Sequence, residues 1–193
     1  NSIAGKLKAF VAFDTWSTSA PLSTARKEVG GLGTQTAALC MGGNTAPPDA
    51  PSALTEEYNG SGWVESGDLN TSRKKTYGFG TQTAGITCGG AEDTDDAESY
   101  NGATWTETGN MGTGRIYHGA VGISTAGLAF GGGSYTVNAE TYNGSTWTEV
   151  ANLNQARITV GFGTQTAAIA AGGYNPGDQE LVESWDGSSW TEV

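Results

Sequence analysis

The sequence predicts an all-β fold, a β-propeller built from copies of one four-stranded antiparallel unit. Three observations predict it. Gly33-Thr34-Gln35-Thr36, Gly80-Thr81-Gln82-Thr83 and Gly163-Thr164-Gln165-Thr166 repeat a single phrase. Each is followed by a glycine pair, at Gly42-Gly43, Gly89-Gly90 and Gly172-Gly173, and a fourth pair, Gly131-Gly132, follows the diverged phrase Gly122-Ile123-Ser124-Thr125. Tryptophans then recur at Trp16, Trp63, Trp105, Trp147 and Trp190, in steps of 47, 42, 42 and 43 residues. A fixed period of this size means one supersecondary unit copied several times, each copy needing its neighbours to bury its apolar faces.

Taken in order, Leu7, Ala9, Val11 and Phe13 alternate ahead of Asp14-Thr15-Trp16, so residues 1–18 read as the last two strands of a partial blade. Complete blades are expected over 19–68, 69–110, 111–152 and 153–193. The second shows the pattern best. After Arg73, Thr76-Tyr77-Gly78-Phe79 reads as a strand, and Gly80-Thr81-Gln82-Thr83 turns the chain into a second strand that stops at Gly89-Gly90. A polar loop leads to a third strand over 97–100. Asn101-Gly102 then signals a tight hairpin, because a primed turn needs positive φ at its central residues, and a fourth strand carries Trp105. Four antiparallel strands per unit make one propeller blade. The strands that would complete the opening half-blade are absent, so the ring is expected to be open or incomplete within this chain. It would be part of a larger propeller or be completed by other chains. The start at Asn1, without an initiator methionine, reads as a processed product or a piece of something longer.

Composition narrows the function classes. The net charge of −11 and pI near 4.3 argue against a basic nucleic-acid footprint. No segment reads as a signal peptide, and none is long and apolar enough to span a bilayer, so no membrane partner is expected. Glycine is 31 of 193 residues and hydrophobic content only 36%, which suits thin sheets packed face to face. Cys40 and Cys88 stand at different offsets from their glycine pairs. On equivalent strands that one-residue shift points them to opposite faces, so they are expected to be unpaired.

The order arginine, strand, Gly-Gly, Tyr, Trp resembles the kelch repeat over almost the whole chain. It is carried by Gly42-Gly43, Tyr58 and Trp63, by Gly89-Gly90, Tyr100 and Trp105, and by Gly131-Gly132, Tyr142 and Trp147, with Trp185 replacing the tyrosine in the last unit. The near-identical phrasing is also similar to kelch arrays of marine phage virion and tail-fibre proteins. That resemblance implies a kelch-like β-propeller on a virion or other extracellular particle, with other chains of the particle and a surface glycan or receptor as partners.

Most of the distinctive residues read as architecture. Trp63, Trp105, Trp147 and Trp190 are expected between blades, where large aromatic area is best buried. Arg26, Arg73, Arg115 and Arg157 occur once per blade. They read as forks bonding backbone at the blade edge, the other reading being a ring of anion-binding residues. Binding is expected elsewhere. Loops joining strands 1 to 2 and 3 to 4 hardly vary, whereas those joining strands 2 to 3, over 44–55, 91–96, 133–138 and 174–179, vary freely. They share one rim, and variable loops on a rigid scaffold are where ligands usually bind. The candidate ligand-binding residues are Pro47, Asp93, Asp95, Tyr135 and Tyr174. The acidic stretch Glu92-Asp93-Thr94-Asp95-Asp96 lacks calcium-loop spacing and reads as a solvated charge run, so no metal and no cofactor are expected. No catalytic residues are assigned. The single histidine, His118, cannot supply the copper ligands of a galactose-oxidase-like enzyme and reads as an inner-strand residue. The expectation is a non-enzymatic recognition or structural module. The alternatives are the propeller portion of a glycan-processing enzyme and a cellular kelch adaptor.

Overall fold

The computed structural model describes residues 19–193. The partial blade expected over 1–18, with Trp16, lies outside them. The chain forms four four-stranded antiparallel sheets in sequence order, plus one two-stranded ladder. The first sheet holds β1 (Gly30–Thr34) and β2 (Ala37–Met41). The ladder of β3 (Asn44–Thr45) and β4 (Ala50–Pro51) follows, then β5 (Thr55–Tyr58) and β6 (Trp63–Glu65) complete the first sheet. The second sheet is β7 (Tyr77–Thr81), β8 (Ala84–Cys88), β9 (Ala97–Tyr100) and β10 (Trp105–Glu107). The third is β11 (Gly119–Ile123), β12 (Ala126–Phe130), β13 (Ala139–Tyr142) and β14 (Trp147–Val150). The fourth is β15 (Ile158–Thr164), β16 (Ala167–Tyr174), β17 (Asp178–Trp185) and β18 (Trp190–Glu192). Helix among the described residues is one 3-10 turn, Gly133–Tyr135.

The first strands neighbour one another in succession, β1 beside β7, β7 beside β11 and β11 beside β15. The arrangement is propeller-like, and no closed ring forms among the described residues. Close approach of the first strands explains their glycines. A Cβ at Gly78 would lie 2.6 Å from Met41 Cε and 2.7 Å from the Ile86 carbonyl, so only glycine fits there without a shift. The third-to-fourth-strand turns use Gly60, Gly102, Gly144 and Gly187 at φ of 91–100°, which gives the Asn-Gly and Asp-Gly phrases their physical reason.

Apolar side chains gather at three sheet-to-sheet contacts. Leu39, Met41, Leu69, Tyr100 and Trp105 fill the first. Phe79, Ile86, Cys88, Met111 and Tyr142 fill the second, with Trp147 packed against them. Val121, Leu128, Phe130, Leu153, Trp185 and Trp190 fill the third. Each tryptophan lies opposite the aromatic that ends the third strand, as in Tyr58–Trp63 and Tyr100–Trp105, with ring centroids 4.9–5.3 Å apart in all four sheets. Trp105 also donates its indole N–H to Thr55 Oγ1 of the first sheet at 2.9 Å. The equivalents of Thr55 are Ala97 and Ala139, as their pairing with Cys88 and Phe130 shows, and the indole nitrogens of Trp147 and Trp190 have no partner among the described residues.

Sequence reasoning gave the invariant rim no role beyond turn geometry, and here the structure differs. Gln82 of the second sheet donates to the Ala38 and Tyr58 carbonyls of the first at 3.1 and 2.8 Å. Gln165 of the fourth donates to Gly127 and Tyr142 of the third at 3.2 and 2.8 Å. The repeated phrase is thus a latch between sheets as well as a turn.

Cys40 and Cys88 are both buried and unpaired. Cys40 faces the arginine of its own sheet, with Arg26 Nη2 3.9 Å from its sulfur. Cys88 faces the third sheet, with His118 Nε2 at 3.5 Å. Burial pushes the Cys88 thiol up to about 12, so it stays a thiol. His118 immediately precedes β11 and is fully buried between the second and third sheets. Burial, with the Arg115 charge adding to it, holds its pKa well below the ordinary 6.5.

This sets a pH dependence. Below about pH 6.5 the unfolded chain takes a proton on His118 that the folded chain refuses, so stability falls with pH by up to about 1.4 kcal/mol per unit. Thr76 occupies the matching position of the second sheet, so His118→Thr restores a side chain the repeat already accepts. Urea midpoints should decline between pH 6.5 and 5 for the natural chain and stay nearly level for His118→Thr. Equal slopes would show that the imidazole is protonated in the folded state. Below the ordinary carboxyl value of 4.5 both proteins should lose stability. Burial alone would raise the Glu56 and Glu183 carboxyls, but their hydrogen bonds with Ser23 and Arg26, and with Arg157 and Asn154, outweigh it and hold them low. That stabilisation disappears as pH falls through their folded values.

Candidate functional site

The variable rim is built on a clamp repeated in every sheet. The four arginine side chains are buried, and each pairs with a buried glutamate of its own third strand: Arg26–Glu56, Arg73–Glu98, Arg115–Glu140 and Arg157–Glu183, at 2.5–2.7 Å. In the first three sheets the guanidinium also donates to two carbonyls at the base of the loop between strands 2 and 3. These are Gly42 and Leu54, Gly89 and Asp96, and Gly131 and Asn138. The carboxylate in turn accepts backbone N–H groups from the segment leading into its sheet: Ser23, Asn70 and Thr71, Gly112 and Thr113, and Asn154 and Gln155. The second glycine of each pair then donates across to the next sheet's arginine carbonyl, Gly43 to Arg73, Gly90 to Arg115 and Gly132 to Arg157, at 2.9–3.0 Å. A planar five-donor fork meets this demand where an ammonium would not.

The glutamates were missed by sequence reasoning, although each carries a signal. Every unit has a glutamate two residues before its third-strand aromatic, in Glu56-Glu57-Tyr58, Glu98-Ser99-Tyr100, Glu140-Thr141-Tyr142 and Glu183-Ser184-Trp185.

On this base the loops of the second, third and fourth sheets come together. Asp93 sits in a left-handed conformation at φ 53°, as do Ser134 at 52° and Tyr135 at 53°. Such non-glycine residues cost on the order of 1 kcal/mol each and persist where their surroundings over-determine them. The surroundings here are close. A Cβ on Gly133 would lie 2.4 Å from Asp93 Oδ1, and Ser134 Oγ is 3.5 Å from Asp93 Oδ2. Tyr135 then meets Tyr174 of the fourth sheet, with ring centroids 5.9 Å apart and planes tilted 46°. Both rings stay open to solvent, at 39% and 40% exposure.

Three of the five candidate ligand-binding residues, Asp93, Tyr135 and Tyr174, thus form one continuous patch. Pro47 lies at the exposed tip of the β3–β4 ladder, where Lys27 pairs with Asp49 at 3.0 Å. The Asp95 side chain is exposed while its carbonyl takes the Met111 N–H. No hydrogen bond joins either to the tyrosine patch among the described residues. The fourth loop is shorter than the sequence suggested, because β16 and β17 run on to Tyr174 and Asp178. Among the described residues, no three histidine, cysteine, aspartate or glutamate side chains gather to hold a metal ion.

A second group stands at the entries to the first strands of three successive sheets. Glu28, Lys75 and Tyr117, each two residues past an arginine, share left-handed φ values of 51–58°. Lys75 Nζ lies 5.1 Å over the Tyr117 ring and 3.8 Å from Glu28. A cavity of about 210 Å³ opens among Glu28, Val29, Lys75, Tyr77 and Tyr117.

No protein-family model matches this chain, and no curated protein is significantly similar to it.

Proposed function

We propose that this chain is a kelch-like β-propeller segment that works as a non-enzymatic recognition module of a phage virion appendage or other extracellular particle. It is held among other chains of that particle, and its variable rim binds a surface glycan. The observation that carries this reading is the Tyr135–Tyr174 pair, two half-exposed rings from adjacent sheets beside the Asp93 carboxylate. Tilted phenol rings present flat apolar faces to the C–H side of a sugar. Their hydroxyls and a carboxylate exchange hydrogen bonds with sugar hydroxyls. The clamp grips the loops that carry Asp93 and Tyr135 before a ligand arrives, which lowers the ordering cost of binding.

The test is a printed array of neutral and acidic oligosaccharides. Tyr135→Ala with Tyr174→Ala should lower binding at least tenfold and leave the melting temperature nearly unchanged. Ser61→Ala with Ser145→Ala, on exposed turns of the opposite rim, should leave binding intact. Gln82 and Gln165 are unsuited as that control because they tie sheets together. Binding that survives the tyrosine pair but not the serine pair would place the functional face on the other rim.

A further inference from the structure

Two cavities along the first strands take no part in the rim patch. The first, about 210 Å³, opens among Glu28, Lys75, Tyr77 and Tyr117. The second, about 200 Å³, is lined by the same two tyrosines and by the aliphatic side chains of Ile158, Val160 and Ala171. Because Tyr77 and Tyr117 line both, the two adjoin as one cleft that reaches from the entry of β1 to β15 and β16. Together they come within the ~300–1,000 Å³ range of small-molecule sites. The cleft includes none of Asp93, Tyr135 and Tyr174.

The two ends of the cleft differ in chemistry. At one end Lys75 Nζ and the Glu28 carboxylate stand 3.8 Å apart, with 24% and 31% of their side chains exposed. That separation is too long for a hydrogen bond, so neither group uses up the hydrogen-bonding capacity of the other. The pair carries no net charge, so it does not select for an anion. At the other end the lining is aliphatic. The backbone supplies a second observation. Glu28, Lys75 and Tyr117 hold left-handed φ values of 51–58°, which glycine adopts freely and which cost other residues on the order of 1 kcal/mol. Glycine takes such angles at turns of every sheet, yet three different polar side chains are kept here.

We propose that this cleft is a second ligand site and that it takes an N-acetylated hexosamine, a neutral sugar with adjacent hydroxyls and one apolar substituent. One hydroxyl of the sugar donates to the Glu28 carboxylate while its neighbour accepts from the Lys75 ammonium, so the charged pair matches a vicinal diol. The acetamido methyl enters the aliphatic end among Ile158, Val160 and Ala171. The C–H face of the sugar meets the tyrosine rings between the two ends. A free amino acid also addresses both charges of the pair. Its own ammonium and carboxylate would first have to be stripped of water, whereas hydroxyls lose far less on entering.

The experiment titrates the full chain with N-acetylglucosamine, N-acetylgalactosamine, glucose and leucine, followed by the NMR signals of the backbone amides. An acetylated sugar should move the Gly30, Lys75 and Tyr117 signals. Glucose, without the acetamido group, should bind roughly tenfold or more weakly. Glu28→Gln and Lys75→Met should each weaken the acetylated sugar about tenfold and leave the melting temperature nearly unchanged. The mapping on the natural chain stands even if a variant fails to fold. Silence at these three amides, glucose binding as tightly, leucine binding more tightly, or full binding by both variants would overturn the proposal. Shifts confined to Tyr135 and Tyr174 would also overturn it while supporting the rim patch, so the two sites stand or fall separately.

Discussion

Glu140→Ala is expected to destabilise the fold by about 3–5 kcal/mol, the range for removing one partner of a buried ion pair. The change strands the Arg115 guanidinium, whose side chain is fully buried. Burial already draws the pKa of Arg115 down, and Glu140 is the main group opposing that. The loss reaches further than one pair, because Gly112 and Thr113 also lose their acceptor. Arg115→Met with Glu140→Met should recover only part of the loss. It removes both charges but leaves the Gly131 and Asn138 carbonyls without their guanidinium donor. Urea denaturation of the single and double variants reads this directly. A double variant as stable as the natural chain would mean that the clamp contributes nothing beyond charge balance.

Trp105→Ala should cost a similar ~3–5 kcal/mol, the range for emptying an aromatic core site. Trp105 is buried with Leu39, Met41, Leu69 and Tyr100, so its removal opens a cavity between two sheets. For a chain of this size that is a fall in melting temperature of roughly 10 °C or more. Thr55→Ala, which removes only the acceptor of the indole N–H, should cost about 1 kcal/mol. The second and third sheets already live with alanine at that position. A Trp105→Ala chain that melts normally but loses its ligand would reverse the structural assignment of the tryptophans.

The fold was legible because its signals are local. Asn101-Gly102 and Gly89-Gly90 announce backbone angles that few other residues adopt, and they recur at a fixed period. The strands between them follow with small shifts, as where β7 begins at Tyr77 and runs through Thr81. The glutamates of the clamp were equally periodic but passed unremarked, since a charged residue in a strand reads as a solvated face until its partner is known. Gln82 gives no local hint at all. Its acceptors lie 24 and 44 residues earlier in the chain, and only the stacking of one sheet on the next brings them within reach. The same holds for Tyr135 and Tyr174. Sequence put both on variable loops of one rim, while their meeting depends on the spacing of neighbouring sheets.

The clamp has a consequence for how such a surface changes over time. In three sheets one guanidinium grips both ends of a variable loop, with eleven residues between the gripped carbonyls in the first (43–53) and six in the second and third (90–95 and 132–137). The same fastening therefore serves loops that differ nearly twofold in length. Lengthening a loop whose ends are already held adds only about 0.6 kcal/mol of closure entropy per doubling. Insertions at the loop tips, away from residues such as Gly43, Gly90 and Gly132 that bond the next sheet, are thus nearly invisible to the scaffold. Each of these three loop tips behaves as an exchangeable cassette, and its surface can change one sheet at a time without renegotiating the fold.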